Sequence, residues 1–515
     1  MDLKSGMKSN LYELISNSIN ELVPFSVEVP RKKEFGDFAS NVAIILAKKQ
    51  KKNPLDLAVE IVEKIKKQKG SNILQKIEVA RPGFINFTLS DKFLQDHLKD
   101  IIKLDHDFDK LPKKRQKILL EYVSANPTGP LHVGHGRWAV IGDVLARMLR
   151  AAGYEVTTEF YVNDVGNQIK LLKESVKARR EGQNIPEGGY GGKYIIEIAE
   201  SSDPLTTLLD QQKQTLQALG IEFNNWFFES SLHKNNKVKA AVEKMHDRRL
   251  TIEEEGALWF KSQEHGDDKN RVLIKEDGST TYFAADIAYH HDKFGRGFDH
   301  LINIWGADHH GYVKRLKAAV EALEHNPKNL EIIIGQLVTL YRGKEPVRMS
   351  KRTGEMVTLQ EVIDEVGSDA TRFFFSMIDV NSHLDFDLEL AKQKSNDNPV
   401  YYVQYAHARI CSIDRKAQEE GIKTNKADLS TLNHPSERAL MRKLLDFPDE
   451  VEAATRLRQP HRLTEYAREL ATIFHNFYHQ CRVIGDPARG LLTKATRITL
   501  RNVLELLGIN APERM

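Results

Sequence analysis

The chain has 515 residues, 29% of them charged, and a formal net charge of +3, too long for one hydrophobic core and therefore expected to divide into about three domains. No stretch reaches the roughly 18 uninterrupted apolar residues needed to span a bilayer, so no membrane partner is expected. The two cysteines, Cys411 and Cys481, are far apart and outside any CxxC pattern. This excludes a cysteine-rich zinc knob and a disulfide framework and fits a reducing cytoplasm.

The charge is unevenly spread: both ends are basic and the middle is acidic. Basic flanks suit a polyanion such as RNA and an acidic middle suits a small cation, although either imbalance also serves solubility.

In chain order, amphipathic stretches at Leu11 to Leu22 and Asn41 to Lys67 predict helices, and the alternation from Ile77 to Phe87 predicts a strand, giving a small α+β domain over 1–112. After the charged stretch Lys110 to Lys117, an apolar strand over Ile118 to Val123, a Pro/Gly turn and a helix from about Gly134 open an α/β domain. Further strands are predicted at Leu301 to Trp305 and Leu330 to Ile334, each after a helical stretch. The expected fold class is α/β, with a Rossmann-like doubly wound parallel sheet over 113–390. A less regular stretch at about 182–266 is set apart as an insertion. From 391 to 515 the periodicity is helical, with Leu463, Tyr466, Leu470, Phe474, Phe477 and Tyr478 at spacings near three and four, as in a helix bundle.

Between the predicted strand and helix lies Glu121-Tyr122-Val123-Ser124-Ala125-Asn126-Pro127-Thr128-Gly129-Pro130-Leu131-His132-Val133-Gly134-His135-Gly136-Arg137, placed as a phosphate-binding crossover. Gly134 would let a nucleotide approach the backbone, the helix start would offer unpaired amides to anionic oxygens, and His132 and His135, one turn apart, could donate to phosphate. A second basic segment, Val347-Arg348-Met349-Ser350-Lys351-Arg352-Thr353-Gly354-Glu355, supplies a point charge in Lys351 suited to a departing pyrophosphate, on a loop expected to act as a lid.

Two segments point to the remaining substrate groups. On the predicted helix Thr281 to His290, Tyr282 and Asp286 share a face, and a carboxylate with a phenol matches the donors of a guanidinium. The segment Ile304 to Tyr312 ends a predicted strand with Gly306, Asp308, His309 and His310. This histidine cluster could hold a metal, but it lacks the second ligand group of a closed zinc site, so no structural metal is expected.

The first motif resembles the HIGH signature of class I aminoacyl-tRNA synthetases, in the S-x-N-P-x-x-P-L-H-x-G-H form of the arginyl-tRNA synthetases, and the likeness extends over nearly the whole chain. It implies a ligase that activates L-arginine with Mg2+-ATP and transfers it to arginine tRNA, and a monomer is expected. His132, His135 and Lys351 are implied in catalysis. Pro127, Gly134, Gly306, Asp308, His309, Met349 and Ser350 join them around ATP, and Glu121, Ser124, Asn126, Tyr282 and Asp286 around arginine. The Val347–Glu355 segment resembles the KMSKS loop, with Arg348 in place of its first lysine. This departure leaves open whether bound tRNA is needed for activation. The resemblance also implies that Phe84 and Asn86, in Arg81 to Phe87, meet the tRNA D-loop, and that Tyr405 and Arg409 belong to an anticodon-binding helix bundle. A buried strand aromatic at 84 and a bundle-core aromatic at 405 are the alternatives.

Overall fold

The computed structural model describes residues 6–347, 357–422 and 427–515. The N-terminal part folds around a four-stranded antiparallel sheet in the order Val27–Glu28, Phe38–Ser40, Phe84–Leu89, Leu74–Ala80. The stretch read as one strand over Ile77 to Phe87 is therefore a hairpin that turns at Arg81 to Gly83, where Gly83 takes a positive φ of 144°. The helical stretch Asn41 to Lys67 is two helices, Val42–Gln50 and Pro54–Lys66. Lys51 ends the first in the left-handed conformation, and the Asn53 side chain caps the second ahead of Pro54.

The middle of the chain forms a five-stranded sheet whose strands are all parallel. In chain order its strands are β1 (Lys117–Glu121), β2 (Glu155–Val162), β3 (Asn225–Phe228), β4 (His300–Gly306) and β5 (Leu330–Gly335), and in space the order is β5-β4-β1-β2-β3. Ile118, Leu119 and Leu120 are all buried, as expected where helices cover both faces. The chain winds outward from β1 through β2 and β3, then returns to the other side of β1 for β4 and β5. This reversal opens a crevice beyond the C-terminal ends of β1 and β4. Strand β3 lies inside the stretch 182–266 that the sequence set apart. It has only four residues, Asn-Trp-Phe-Phe, too few to show a period of two. A separate three-stranded antiparallel sheet, Thr251–Glu254, Ala257–Phe260 and Arg271–Ile274, follows it before the chain returns to the crevice.

The C-terminal part is helical: Pro399–Glu419, Pro435–Leu445, Phe447–Leu457, His461–Gln480 and Pro487–Leu507. Leu463, Tyr466, Leu470, Phe474 and Phe477 are buried along one helix, as their spacing predicts, while Tyr478 is half-buried at its margin. No helix among the described residues is long and apolar enough to cross a membrane.

Buried polar contacts join the three parts. Arg372 donates to the Asp143 carboxylate at 2.5 Å and to the backbone carbonyls of Leu507 at 2.9 Å and Leu219 at 2.8 Å. Arg438 bonds both carboxylate oxygens of Asp37 at 3.2 and 2.8 Å. The Asp449 carboxylate accepts the amides of Met7 and Lys8, each at 3.0 Å, and so caps the first helix, Met7–Ser16, from a distant part of the chain.

Candidate active site

The turn after β1 is strained. Val123 and Ser124 both have positive φ, 69° and 43°, costly for any side chain and most for a β-branched one. The strain reverses the chain so that the Ser124 hydroxyl donates to Glu121 Oε1 at 2.9 Å and accepts the Tyr161 amide at 3.1 Å. The following loop is pinned from behind. Buried Gln212 donates to the carbonyls of Asn126 at 3.2 Å and Gly129 at 2.9 Å, and the Tyr194 hydroxyl donates to the Thr128 carbonyl at 2.9 Å. Pro127 is buried in this loop, whereas Asn126 is exposed and donates to Gln168 at 2.6 Å.

His132 is the N-cap of α1 (Val133–Ala151). Its Nδ1 accepts the amides of Gly134 at 3.1 Å and His135 at 3.4 Å, and the His135 Nδ1 accepts the His132 amide at 3.4 Å. Two of the amides expected to be unpaired at this helix start, those of Gly134 and His135, are thus engaged by the His132 ring. With Nδ1 accepting, a neutral ring carries its proton on Nε2. The two rings stack with centroids 3.6 Å apart. A Cβ on Gly134 would lie 3.0 Å from His132 Cε1, so the glycine makes room for the ring. Buried Arg137, one turn on, donates to the carbonyls of Gln336, Asp379 and Ser382 at 2.8 to 3.1 Å, fastening α1 to the chain beyond β5.

Beside this helix start lies an acidic pocket. Asp286, on the helix Tyr282–Gly295, accepts the Tyr312 hydroxyl at 2.5 Å. Burial pushes its carboxyl up to about 7; Glu229 and Glu121 push the same way, while the Tyr312 bond and Lys293 oppose. Tyr312, which the sequence did not single out for this role, is therefore the phenol on Asp286. Tyr282 is exposed, and its hydroxyl stands over Gly166. The third carboxylate, Glu229, went unnoticed in the sequence. It is buried just past β3 and its carboxyl is raised by burial, against hydrogen bonds from Tyr161 and His233.

Behind the pocket, fully buried Lys293 pairs with Glu121 Oε2 and donates to Asn303 Oδ1 at 3.0 Å, with its ammonium 4.2 Å from the centroid of the Tyr289 ring. The Asn303 amide then donates to His290 Nε2 at 2.8 Å, and His290 Nδ1 donates to the Asp286 carbonyl at 2.8 Å. Burial, then the charge of Lys293, hold His290 neutral, consistent with this tautomer. Glu159, on β2, takes Arg296 in a bidentate pair at 2.6 and 2.9 Å and the Tyr289 hydroxyl at 2.7 Å.

Across the crevice, Gly306 ends β4 and Gly335 ends β5, both under the Trp138 indole. A Cβ would come within 2.6 Å of that ring at 306 and 2.2 Å at 335. Asp308 and His309 follow, exposed and 3.5 Å apart. Among the described residues no group of three or more His, Cys, Asp or Glu is placed to hold a metal. Arg348, Met349, Ser350 and Lys351 lie outside the described residues. The chain that follows them reaches the helix start: Thr358 forms an antiparallel bridge with His132, and the Leu359 amide donates to the Leu131 carbonyl at 2.8 Å.

The remaining candidates lie in the N-terminal and C-terminal parts of the chain. Phe84 is exposed at the start of its strand, but Asn86 is buried within it. Tyr405 is half-buried and stacks on Tyr401 with centroids 6.2 Å apart, while Arg409 is exposed beside the Tyr478 ring at 5.1 Å.

Comparison with known proteins covers the chain almost end to end. Residues 2–89 match the family model for the arginyl tRNA synthetase N terminal domain, 97–187 and 199–378 that for the class I (R) tRNA synthetase catalytic domain, and 403–515 that for the DALR anticodon binding domain. The arginine-tRNA ligase of Heliobacterium modesticaldum is 47% identical, with 97% of this chain and 95% of that protein covered. That of Moorella thermoacetica is 46% identical with the same coverage. The Thermus thermophilus arginyl-tRNA synthetase structure superposes with a TM-score of 0.82 over 99% of this chain and 100% of that one, at 23% identity, a likeness of fold. The chain belongs to the arginyl-tRNA synthetase family of class I enzymes.

Proposed function

We infer that this chain is an arginine-tRNA ligase whose amino-acid pocket is the acidic cluster of Asp286, Glu229 and Glu121 beside the start of α1. The observation that carries the reading is the gathering of three carboxylates in one electrostatic neighbourhood, Glu121 and Glu229 buried and Asp286 raised chiefly by desolvation and further by the other two. Buried like charges are costly and are relieved by a cation, and a guanidinium supplies a planar one.

In the reaction, the arginine carboxylate attacks the α-phosphorus of Mg2+-ATP and pyrophosphate leaves. A terminal ribose hydroxyl of the tRNA then attacks the acyl carbon and AMP leaves. The protein positions the reactants and stabilises charge. Asp286 and Glu229 take the guanidinium, Glu121 and Ser124 the α-ammonium end, and Asn126 the exposed rim of the same loop. His132 and His135 donate from Nε2 to phosphate oxygens, joined by Lys351, Met349 and Ser350. Pro127, Gly134, Gly306, Asp308 and His309 complete the nucleotide side. Phe84, Tyr405 and Arg409 offer aromatic or cationic surface to the tRNA, and Asn86 would serve through its strand. We place the enzyme in the cytoplasm as a monomer; its cysteines are free and buried, as a reducing compartment allows.

The test is amino-acid-dependent ATP–pyrophosphate exchange, with and without arginine tRNA. Arginine alone should support exchange, and His135→Ala should lower the rate about a hundredfold, the usual scale for losing one donor to a developing charge. Exchange with no amino acid, in either condition, overturns the reading.

A further inference from the structure

A groove runs along the helix Asn167–Arg180, which follows β2, and its lining includes Asp164, Ile169, Lys170, Lys173, Glu174 and Lys177, three cations against two carboxylates. One end meets the pocket already described. The Asp164 carboxylate holds the Ser230 amide at 2.8 Å, next to Glu229; Tyr282 stands over Gly166; and Gln168 holds Asn126. The other end opens to solvent. The three lysines are exposed, at positions i, i+3 and i+7, so their ammoniums follow one face of the helix. Lys170 and Lys177 stand 3.9 Å from Glu174 and Glu181, surface pairs too weak to commit either ammonium. Ile169 and Val165 give the groove an apolar floor.

We propose that this groove receives the single-stranded 3′ end of the tRNA, with Lys170, Lys173 and Lys177 against its phosphates and the floor beneath its sugars and bases. The inference rests on the reading of the chain as a tRNA-charging enzyme. Two observations select this occupant: the row of three lysines suits a polyanion, and one end of the groove lies beside the pocket where the terminal ribose must arrive. Seven residues of helix span about 10 Å, the rise of about three stacked nucleotides at about 3.4 Å each. The occupant is therefore a short strand rather than a single phosphate.

The test compares wild type with the variant Lys170→Gln/Lys173→Gln/Lys177→Gln, whose substituted side chains are all exposed. Affinity is measured for intact arginine tRNA and for the same tRNA lacking its last four nucleotides, over a range of salt. Wild type should bind the intact tRNA more tightly than the shortened one. The variant should bind intact tRNA about tenfold more weakly, bind the shortened tRNA as wild type does, and show a salt slope shallower by about 2, as expected for three lost contacts on a single strand. The KM values for arginine and ATP should stay within about twofold. Equal weakening of both RNAs, unchanged binding of both, or a raised KM for ATP alone would overturn the inference. Arginylation by the wild type, measured alongside, separates the two levels: its absence removes the functional reading and this inference together, whereas its presence with an unaltered intact-to-shortened ratio removes only the inference.

Discussion

The Lys293 ammonium lies against the Glu121 carboxylate; the lysine is fully buried and the carboxylate nearly so. Lys293→Met leaves that carboxylate buried without its cation, a loss of about 3–5 kcal/mol. The melting temperature should fall and the KM for arginine should rise. Glu121→Gln/Lys293→Met should recover most of the stability, since replacing both members of a buried pair is close to neutral, but not the affinity for arginine. Recovery of both would show that Glu121 only packs.

Asp286 gives arginine binding a pH dependence. With its carboxyl at about 7 in the ligand-free protein, binding a guanidinium below that pH requires loss of a proton. The KM for arginine should therefore rise up to about tenfold per pH unit below 7. Asp286→Asn should bind arginine poorly at every pH and lose this slope. For folding the sign is opposite. A carboxyl raised from 3.8 to about 7 contributes stability that is full below the lower value and lost as pH rises through the upper one. At pH 8 the ligand-free asparagine variant should melt above wild type, by about 1–2 °C for each kcal/mol of relief at this chain length.

Glu229 is expected to read charge rather than shape. Glu229→Gln should raise the KM for arginine about thirtyfold or more, from the loss of a desolvated charge pair. It should also narrow discrimination against citrulline, the neutral isostere, in competition assays. A variant that keeps wild-type selectivity would place the guanidinium elsewhere.

Arg372 links the helix carrying His135 to the last helix. Arg372→Met should destabilise the protein by about 3–5 kcal/mol in denaturant unfolding, and Arg372→Met/Asp143→Leu should restore much of that. An unchanged single variant would mean that the two carbonyls and the carboxylate find other donors.

What could be read in advance follows from how far apart in the chain the cooperating residues lie. The segment from Glu121 to Arg137 is continuous, so its strand, turn and helix, and the helix-start position of its histidines, were legible from residue type alone. The paired use of Nδ1 by His132 and His135 was not, because capping depends on rotamers. Asp286 was legible by helical spacing to Tyr282, yet the phenol that meets it is Tyr312, from beyond β4. Glu229 was hidden because β3 is a four-residue edge strand with no alternation long enough to count. Lys293 and Asn303 read as ordinary polar positions, and only folding buries them together. In the helical C-terminal part, by contrast, spacing alone predicted the buried face of His461–Gln480.

The cap on Met7–Ser16 bears on the birth of the molecule. Its acceptor, Asp449, is separated from Met7 by 442 residues, so this helix must wait for that length of chain to be translated. At about 5–20 residues per second, the amides of Met7 and Lys8 stay without their native partner for roughly 20–90 s. Gly6 lies so close to that carboxylate that a Cβ there would fall 2.1 Å from it. Closing this seam is thus a late event in biosynthesis, and it registers the helix Met7–Ser16 against the helix Phe447–Leu457 only when both are present.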